Sequence, residues 1–173
     1  EVVAPFTPIT VKVSAFEILG RTIEIGTDGF PRRIQSFFNP EMTGLQEKGR
    51  DILSRKVSFV VEDGSGQGII WQMERQTRVT QQAAGLVAWQ SNGRAGNLTL
   101  ALKAALEFDG NLEYSLHLRA EEKVQLSDVR LELALNAQAA RYMLGLGFRG
   151  GYRPPSYTWK WDVAHKNQDS LWL

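Results

Sequence analysis

The sequence predicts an all-β protein, a large antiparallel β-sandwich of two sheets, and three observations lead to this prediction. Apolar and polar residues alternate along most of the chain, which is the pattern of strands with one buried and one solvated face. Turn-forming pairs, such as Asp28-Gly29 and Asn92-Gly93, separate the alternating segments. Only residues 134–144 have a helical composition, and they also fit the end of a strand followed by a loop.

Each element is assigned from its own alternation or turn residues. Residues 27–31 predict a turn, because Asp-Gly favours a positive φ and proline fixes the chain that leaves it. The polar segment 41–50 is interpreted as a loop, and so is 91–97, which contains an Asn-Gly turn signal. A shift of the apolar positions near Ala104 predicts a β-bulge. The predicted strands are 9–13, 23–25, 34–38, 57–61, 69–73, 77–90 as two segments, 98–108, 112–118, 124–126 and 129–135.

Length and composition limit the function classes. A chain of 173 residues is large enough to bury a core, so we predict a single domain over residues 1–173. Twenty basic and nineteen acidic residues give a net charge of +1, and the basic residues are scattered, which argues against a nucleic-acid partner or an anionic membrane. The lack of cysteine excludes disulfides and cysteine-ligated metals. No apolar run reaches the length of about 18 residues that predicts a membrane-spanning helix.

The two ends of the sequence suggest a longer protein. Residues 1–5 lack the basic and apolar regions of a signal peptide. Residues 170–173 stop within an apolar, strand-like run, where a natural terminus is expected to be polar. We therefore predict that the chain is a fragment of a multidomain protein.

A search for catalytic chemistry finds no convincing site. Most carboxylates lie at turns or on the solvated faces of strands, which is their usual position. Asp162 and Asp169 are of more interest, because they flank His165. The two histidines, His117 and His165, lack the carboxylate spacing of a metal site. No nucleophile elbow or phosphate-binding motif occurs, so the sequence predicts no catalytic residue, no metal and no cofactor.

The most unusual composition lies near the C-terminal end. Residues 145–155 are rich in glycine, arginine and proline, which predicts a long loop. Residues 157–161 alternate aromatic and polar side chains and are interpreted as a strand whose rings share one face. Such a face fits a core, an interface with another domain, or a surface that stacks on a sugar. The candidate residues for a ligand or interdomain surface are Arg149, Tyr152, Arg153, Tyr157, Trp159 and Trp161.

Several strand and turn segments carry a resemblance to a known family. These segments are 28–31, 108–116, 129–133, 142–147, 150–154 and 167–173. Together they make the chain similar to the N-terminal β-sandwich region of large bacterial glycoside hydrolases of the family 123 type. Sandwiches of this kind also resemble the supersandwich of galactose-mutarotase-like domains. The chain lacks the pairing of histidine and glutamate that mutarotase chemistry needs.

The resemblance implies a non-catalytic accessory domain. It would pack on a downstream catalytic (β/α)₈ barrel of the same polypeptide, in a carbohydrate-degrading enzyme that a bacterium exports. The acidic pair of such enzymes belongs to the barrel, so the resemblance assigns no catalytic residue to this chain. An accessory domain of this kind is expected to expose a contiguous apolar patch when it is isolated.

Two other functions stay open. A carbohydrate-binding module would bind a glycan through the rings of 157–161, because flat aromatic rings stack on the apolar faces of sugars. A free-standing sugar epimerase or lyase would need His165 or His117 beside a carboxylate in a pocket.

Overall fold

The computed structural model describes residues 2–74, 76–160, 162, 164 and 170–173. In this part of the chain fifteen strands form antiparallel sheets and no helix occurs, so the all-β prediction is confirmed. The contacts divide the chain into two compact units, 1–134 and 135–173. The single domain over residues 1–173 stays a prediction.

The first sheet of the 1–134 unit has five strands in sequential order. They are β1 (Thr10–Val11), β2 (Ala15–Ile18), β3 (Arg21–Ile25), β4 (Pro31–Phe38) and β5 (Leu45–Asp51). Strand β5 shows that the predicted loop over 41–50 is wrong from residue 45 onwards, whereas residues 41–44 form no strand. Six of its seven residues are exposed, so burial imposed no alternation on its sequence. The strand is held by backbone pairing with β4 and by a hydrogen bond of 3.1 Å from the Arg50 guanidinium to Phe38 O.

The second sheet of this unit also has five strands. They are β7 (Gln72–Met73), β8 (Arg78–Ala83), β9 (Leu86–Ala95), β10 (Leu98–Glu107) and β11 (Leu112–Ala120). Their order is β11-β10-β9-β7, and β8 also pairs with β9. The predicted loop over 91–97 is wrong for residues 91–95, because β9 continues to Ala95, and the chain turns only at residues 96–97, where Gly96 has a φ of 59°. The predicted bulge near Ala104 is wrong as well, since β10 keeps a continuous register with both neighbours.

A two-stranded sheet of β6 (Ser58–Asp63) and β12 (Leu126–Glu132) also belongs to the 1–134 unit. One of its faces holds a cluster of ion pairs around Arg130. The Arg130 guanidinium lies 2.6 Å from a Glu62 oxygen and 2.8 Å from a Glu132 oxygen, and it contacts Asp128 as well. Arg55 binds the same Glu132 carboxylate at 2.9 Å.

The two five-stranded sheets meet at Trp89. Its ring centroid lies 4.9 Å from that of Phe16 in the first sheet and 6.1 Å from that of Tyr114 in the second. The Trp89 indole N–H donates a hydrogen bond of 2.9 Å to Gly29 O, in the turn between β3 and β4. Burial and the nearby charge of Asp28 raise the pKa of the Tyr114 hydroxyl above its usual range. The alternate positions of β10 are all buried, namely Leu98, Leu100, Leu102, Ala104 and Leu106.

The 135–173 unit contains a sheet of three short strands in the order β14-β13-β15. They are β13 (Tyr142–Gly145), β14 (Phe148–Tyr152) and β15 (Leu171–Trp172). The predicted long loop over 145–155 is therefore wrong for most of its length, because β13 and β14 form a hairpin there. The hairpin turns at Leu146 and Gly147, whose φ angles are 52° and 81°.

The role of Trp89 predicts a loss of stability when its N–H is removed. Trp89→Phe should lower the free energy of unfolding by about 1–3 kcal/mol, because Gly29 O loses a donor and the smaller ring leaves a cavity. Unfolding in urea measures this change. Trp172→Phe, at an exposed tryptophan, is the matched control and should change stability by less than about 0.5 kcal/mol. Equal effects of the two substitutions would contradict the central position of Trp89.

The ion cluster predicts acid sensitivity. Hydrogen bonds from Arg130, and then from Arg55, lower the pKa of the Glu132 carboxyl from its ordinary value. The ionised Glu132 carboxylate stabilises the folded protein fully above the pKa of an unfolded glutamate, about 4.3. This stabilisation is lost as the pH falls through the lower pKa that Glu132 has in the folded protein. Glu132→Gln should thus destabilise the protein at pH 7 and weaken the dependence of its melting temperature on pH below about 4. Glu122→Gln, on an exposed turn, should leave the dependence of the melting temperature on pH unchanged. If the melting temperature of Glu132→Gln depended on pH in the same way as that of the unsubstituted protein, Glu132 would not be the source of the acid sensitivity.

Candidate functional site

The candidate site lies on the small sheet of the 135–173 unit, and a glycine determines how that sheet is built. Gly145 pairs with Phe148 of β14 on one side and with Leu171 of β15 on the other. Its φ is +105°, and a Cβ at this position would overlap the carbonyl oxygen of Ser170. Only glycine lets β15 approach β13 this closely.

One face of this sheet exposes large apolar side chains. Tyr142 of β13 lies opposite Tyr152 of β14, and Leu144 lies opposite Trp172 of β15. The exposed fractions of these four residues are 52%, 66%, 50% and 66%. The intervening Met143 points the other way and is buried. We call Tyr142, Leu144, Tyr152 and Trp172 the aromatic face.

A cation lies beside this aromatic face. The two tyrosine rings stack with centroids 5.1 Å apart and planes 31° apart. The Arg141 guanidinium lies 5.5 Å from the centroid of Tyr142 and 5.5 Å from that of Tyr152. Exposed tyrosine, tryptophan and arginine are the residue types most enriched at the energetic centres of protein interfaces.

The same unit contains a cleft that we call the proline cleft. It has a volume of about 390 Å³ and is lined by Met143, Leu146, Arg153, Pro154, Pro155, Ser156, Tyr157, Trp159, Leu171 and Leu173. The Tyr157 hydroxyl donates a hydrogen bond of 2.5 Å to Leu146 O. Its ring packs edge to face on Phe148, with centroids 5.9 Å apart. Tyr157 is therefore held by the hairpin next to it.

The structure separates the predicted site residues. Arg149 is exposed on β14, and Tyr152 belongs to the aromatic face. Arg153, Tyr157 and Trp159 line the proline cleft together, with Trp159 half-buried. Arg153 also donates from Nε to Ala140 O at 3.0 Å, which ties the end of the hairpin to the segment before it. Trp161 lies outside the described residues.

The prediction of a strand over 157–161 is wrong in its described part. Residues 157–160 have no strand conformation. Pro154 and Pro155 precede this segment by one residue, and proline has no N–H to donate to a ladder. Alternation of aromatic and polar residues alone therefore does not make a strand.

Sequence reasoning missed three members of the aromatic face, namely Tyr142, Leu144 and Trp172. A signal was present, since Tyr142 and Leu144 alternate with Met143 and Gly145. That alternation indicates two different faces, but it does not say which of them is exposed.

Of the two histidines that an epimerase or lyase could use, the structure describes His117. His117 is exposed on β11, and its Nε2 lies 3.3 Å from Ser115 Oγ. His165 and Asp169 lie outside the described residues, and an epimerase or lyase activity stays a prediction. Within the described ranges, no group of three or more histidine, aspartate or glutamate residues could hold a metal ion. The described residues also contain no helix long and apolar enough to cross a membrane.

Comparison with known proteins found one family model. It matches residues 9–173, and its description is glycoside hydrolase 123, third domain. No curated protein and no solved structure matched the chain. The match covers nearly the whole sequence, including both the aromatic face and the proline cleft.

The close approach at Gly145 predicts a specific defect. Gly145→Ala should separate β15 from β13, because the added methyl group meets the Ser170 carbonyl and alanine disfavours the positive φ. Amide hydrogen exchange measures the effect, as faster exchange at Gly145 and Leu171 with β9 and β10 unchanged. Gly68→Ala is the matched control, since a Cβ there meets no atom within 4 Å and the residue has no positive φ. Unchanged exchange in Gly145→Ala would contradict the described packing.

Proposed function

This chain belongs to glycoside hydrolase family 123, whose third-domain model it matches over residues 9–173, and from that membership we propose that it is a non-catalytic accessory domain. In this proposal it packs against the catalytic domain of the same polypeptide. The predicted family is confirmed. The description as a third domain differs from the N-terminal position that the resemblance implied. The relation to galactose-mutarotase-like domains stays a prediction.

The observation that carries the proposal is the aromatic face. Four large side chains on one sheet face are each at least half exposed. Tyr142 contacts Tyr152, and Leu144 pairs with Trp172, so the exposed residues form neighbouring pairs rather than scattered positions. Soluble domains rarely leave such a patch uncovered, whereas interface centres have this composition. The catalytic domain is the proposed occupant, because the family description itself names a protein of several domains.

Several of the described carboxylates have structural partners, which favours a non-catalytic role for them. Glycoside hydrolysis uses two carboxyl groups that face each other across the scissile bond. Here Asp51 binds Arg33 at 2.7 Å, and Glu62 and Glu132 bind Arg130. The Asp63 carboxylate accepts hydrogen bonds from its own turn, which lower its pKa. Groups held in this way have structural partners and little capacity to act as a general acid.

The alternative function, a carbohydrate-binding module that uses 157–161, gains no specific support. Residues 157–160 form no strand, and the Tyr157 hydroxyl and ring both have partners within the chain. Calorimetry with Trp159→Ala would show whether this segment binds a glycan.

Docking through the aromatic face predicts different effects in the parent hydrolase and in the isolated chain. Tyr152→Ser combined with Trp172→Ser should lower the melting temperature of the parent enzyme, because buried tyrosine and tryptophan at an interface contribute about 2 kcal/mol or more each. In the isolated chain the same side chains are already exposed, so its melting temperature should change little. Differential scanning calorimetry of both proteins measures the two effects.

The matched control replaces two exposed apolar residues elsewhere. Val13 and Ile70 are 108% and 87% exposed and lie in the other unit. Val13→Ser with Ile70→Ser should leave both melting temperatures unchanged. An equal shift in the parent enzyme for both double variants would refute docking through the aromatic face. Calorimetric binding of a glycan that Trp159→Ala abolishes in the folded chain would favour the carbohydrate-binding alternative.

A further inference from the structure

The outer strand of the small sheet of β6 and β12 exposes an apolar face. Val129, Leu131 and Leu133 alternate along β12 and just beyond it, and their exposed fractions are 46%, 44% and 59%. Opposite the first two, on β6, Val61 is fully buried and Phe59 is half-buried. The sheet is thus covered by the core at β6, whereas β12 extends past that cover. We call residues 129–133 the β12 edge.

Strand β6 has neighbours on both of its edges. Glu62 pairs with β12 on one edge and forms an isolated bridge with Gly68 on the other. On this second edge, Val61 O accepts a hydrogen bond of 2.8 Å from Ile69 N. Since the N–H and C=O of one strand residue point to the same edge, Val61 directs both of its backbone groups away from β12.

The β12 edge therefore offers free backbone groups. Val129 lies opposite Val61, in a pair that exchanges no backbone hydrogen bonds, so the Val129 N–H and C=O point away from β6. The same holds two residues further on, at Leu131. Among the described residues β12 pairs with β6 alone. Edge strands often carry lysine or proline, which prevents further pairing, and residues 126–133 contain neither.

The face opposite the apolar one carries charges that alternate in sign. Asp128, Arg130 and Glu132 follow one another there. Arg130 binds Glu132 through Nε. It binds Glu62 and Asp128 through Nη1, and these described bonds leave Nη2 for a further acceptor. A complementary strand would place a carboxylate opposite Arg130, a cation opposite Glu132 and apolar residues on the other face. The β12 edge itself has this sequence when it is read in the antiparallel direction.

We propose that the occupant is the β12 edge of a second copy of this chain, in an antiparallel pairing with a twofold axis at Leu131. The resulting cross-strand pairs are Leu131 with Leu131, Val129 with Leu133, and Arg130 with Glu132. Positions 129 and 131, whose backbone groups are free, are hydrogen-bonded positions of this pairing. The two small sheets become one four-stranded sheet with a continuous apolar face.

Other registers of the same two strands fit less well. An axis at Arg130 sets the two arginines against each other and uses backbone groups that already point to β6. An axis at Val129 sets Leu131 against Ser127, next to the bulge at the start of β12. An axis between two residues sets apolar side chains against charged ones, because opposite residues share a face. The axis at Leu131 satisfies the backbone, the charges and the apolar face together.

The sequence has no cysteine, so single introduced thiols report the pairing. The 173-residue chain with Leu131→Cys is oxidised with diamide. Opposite Cα atoms at such a pair are about 5.5 Å apart, a separation that a disulfide spans, so we expect a covalent dimer on non-reducing electrophoresis. Val129→Cys and Leu133→Cys are the matched controls, because each position lies about 13 Å from its own counterpart. Neither should cross-link alone, whereas an equimolar mixture of the two should.

Sedimentation equilibrium measures the association of the original chain. A short edge pairing buries little surface, so we expect a dissociation constant of about 0.1 mM. Leu131→Lys and Leu131→Glu should each weaken dimerisation about 10-fold, because like charges meet at the axis, and a mixture of the two variants should restore it. Val13→Lys, at an exposed residue elsewhere, should leave the dissociation constant unchanged.

Three results would overturn the proposal. One is an original chain that stays monomeric at about 1 mM, ten times the expected dissociation constant. Another is a Val129→Cys chain that cross-links with itself as readily as Leu131→Cys, which would mean contact without a defined register. The third is a parent hydrolase with Leu131→Cys that forms no more cross-linked dimer than the unsubstituted parent, which would assign the β12 edge to another domain of the same polypeptide. Docking through the aromatic face belongs to the other unit and is measured on other variants, so it does not depend on these results.

Discussion

The larger unit depends on a partly buried turn, residues 26–30, which the second sheet holds against the first. The turn closes on itself through the hydrogen bond from Gly26 N to Phe30 O. Three of its carbonyl groups accept hydrogen bonds from side chains outside the turn, and Gly26 O also accepts one of 3.0 Å from the backbone N–H of Gly29. The donors are Thr77 Oγ1 to Gly26 O, Ser91 Oγ to Thr27 O and Trp89 Nε1 to Gly29 O. These bonds fix the position of one sheet relative to the other.

The same turn packs closely against the second sheet. Gly29 has a φ of +83°, and a Cβ there would come within 2.8 Å of Leu102. A side chain at this position would therefore strain the backbone and overlap the buried face of β10.

The two units use the same strand pattern with opposite results. In β10 the alternate side chains are buried between sheets, and they stabilise the larger unit. In β13 the alternation of Tyr142 and Leu144 with Met143 leaves an apolar set exposed. Exposure of an apolar face of this kind to water is unfavourable in free energy, and burial against another surface removes that penalty. This is the physical reason for assigning docking on the catalytic domain to β13 and internal packing to β10.

The sequence by itself determined the all-β class, the turn over 27–31, the strands whose alternation marks one buried face, and the family. It failed for β5, which is exposed and is held by its backbone, and for the hairpin of β13 and β14, whose glycines resemble a loop. It placed Tyr157 and Trp159 on a strand that does not form, and it missed most of the aromatic face. Only the tertiary structure decided which apolar face is left exposed and which tryptophan packs between the two five-stranded sheets. Both depend on atoms distant in sequence, which alternation along one segment does not report.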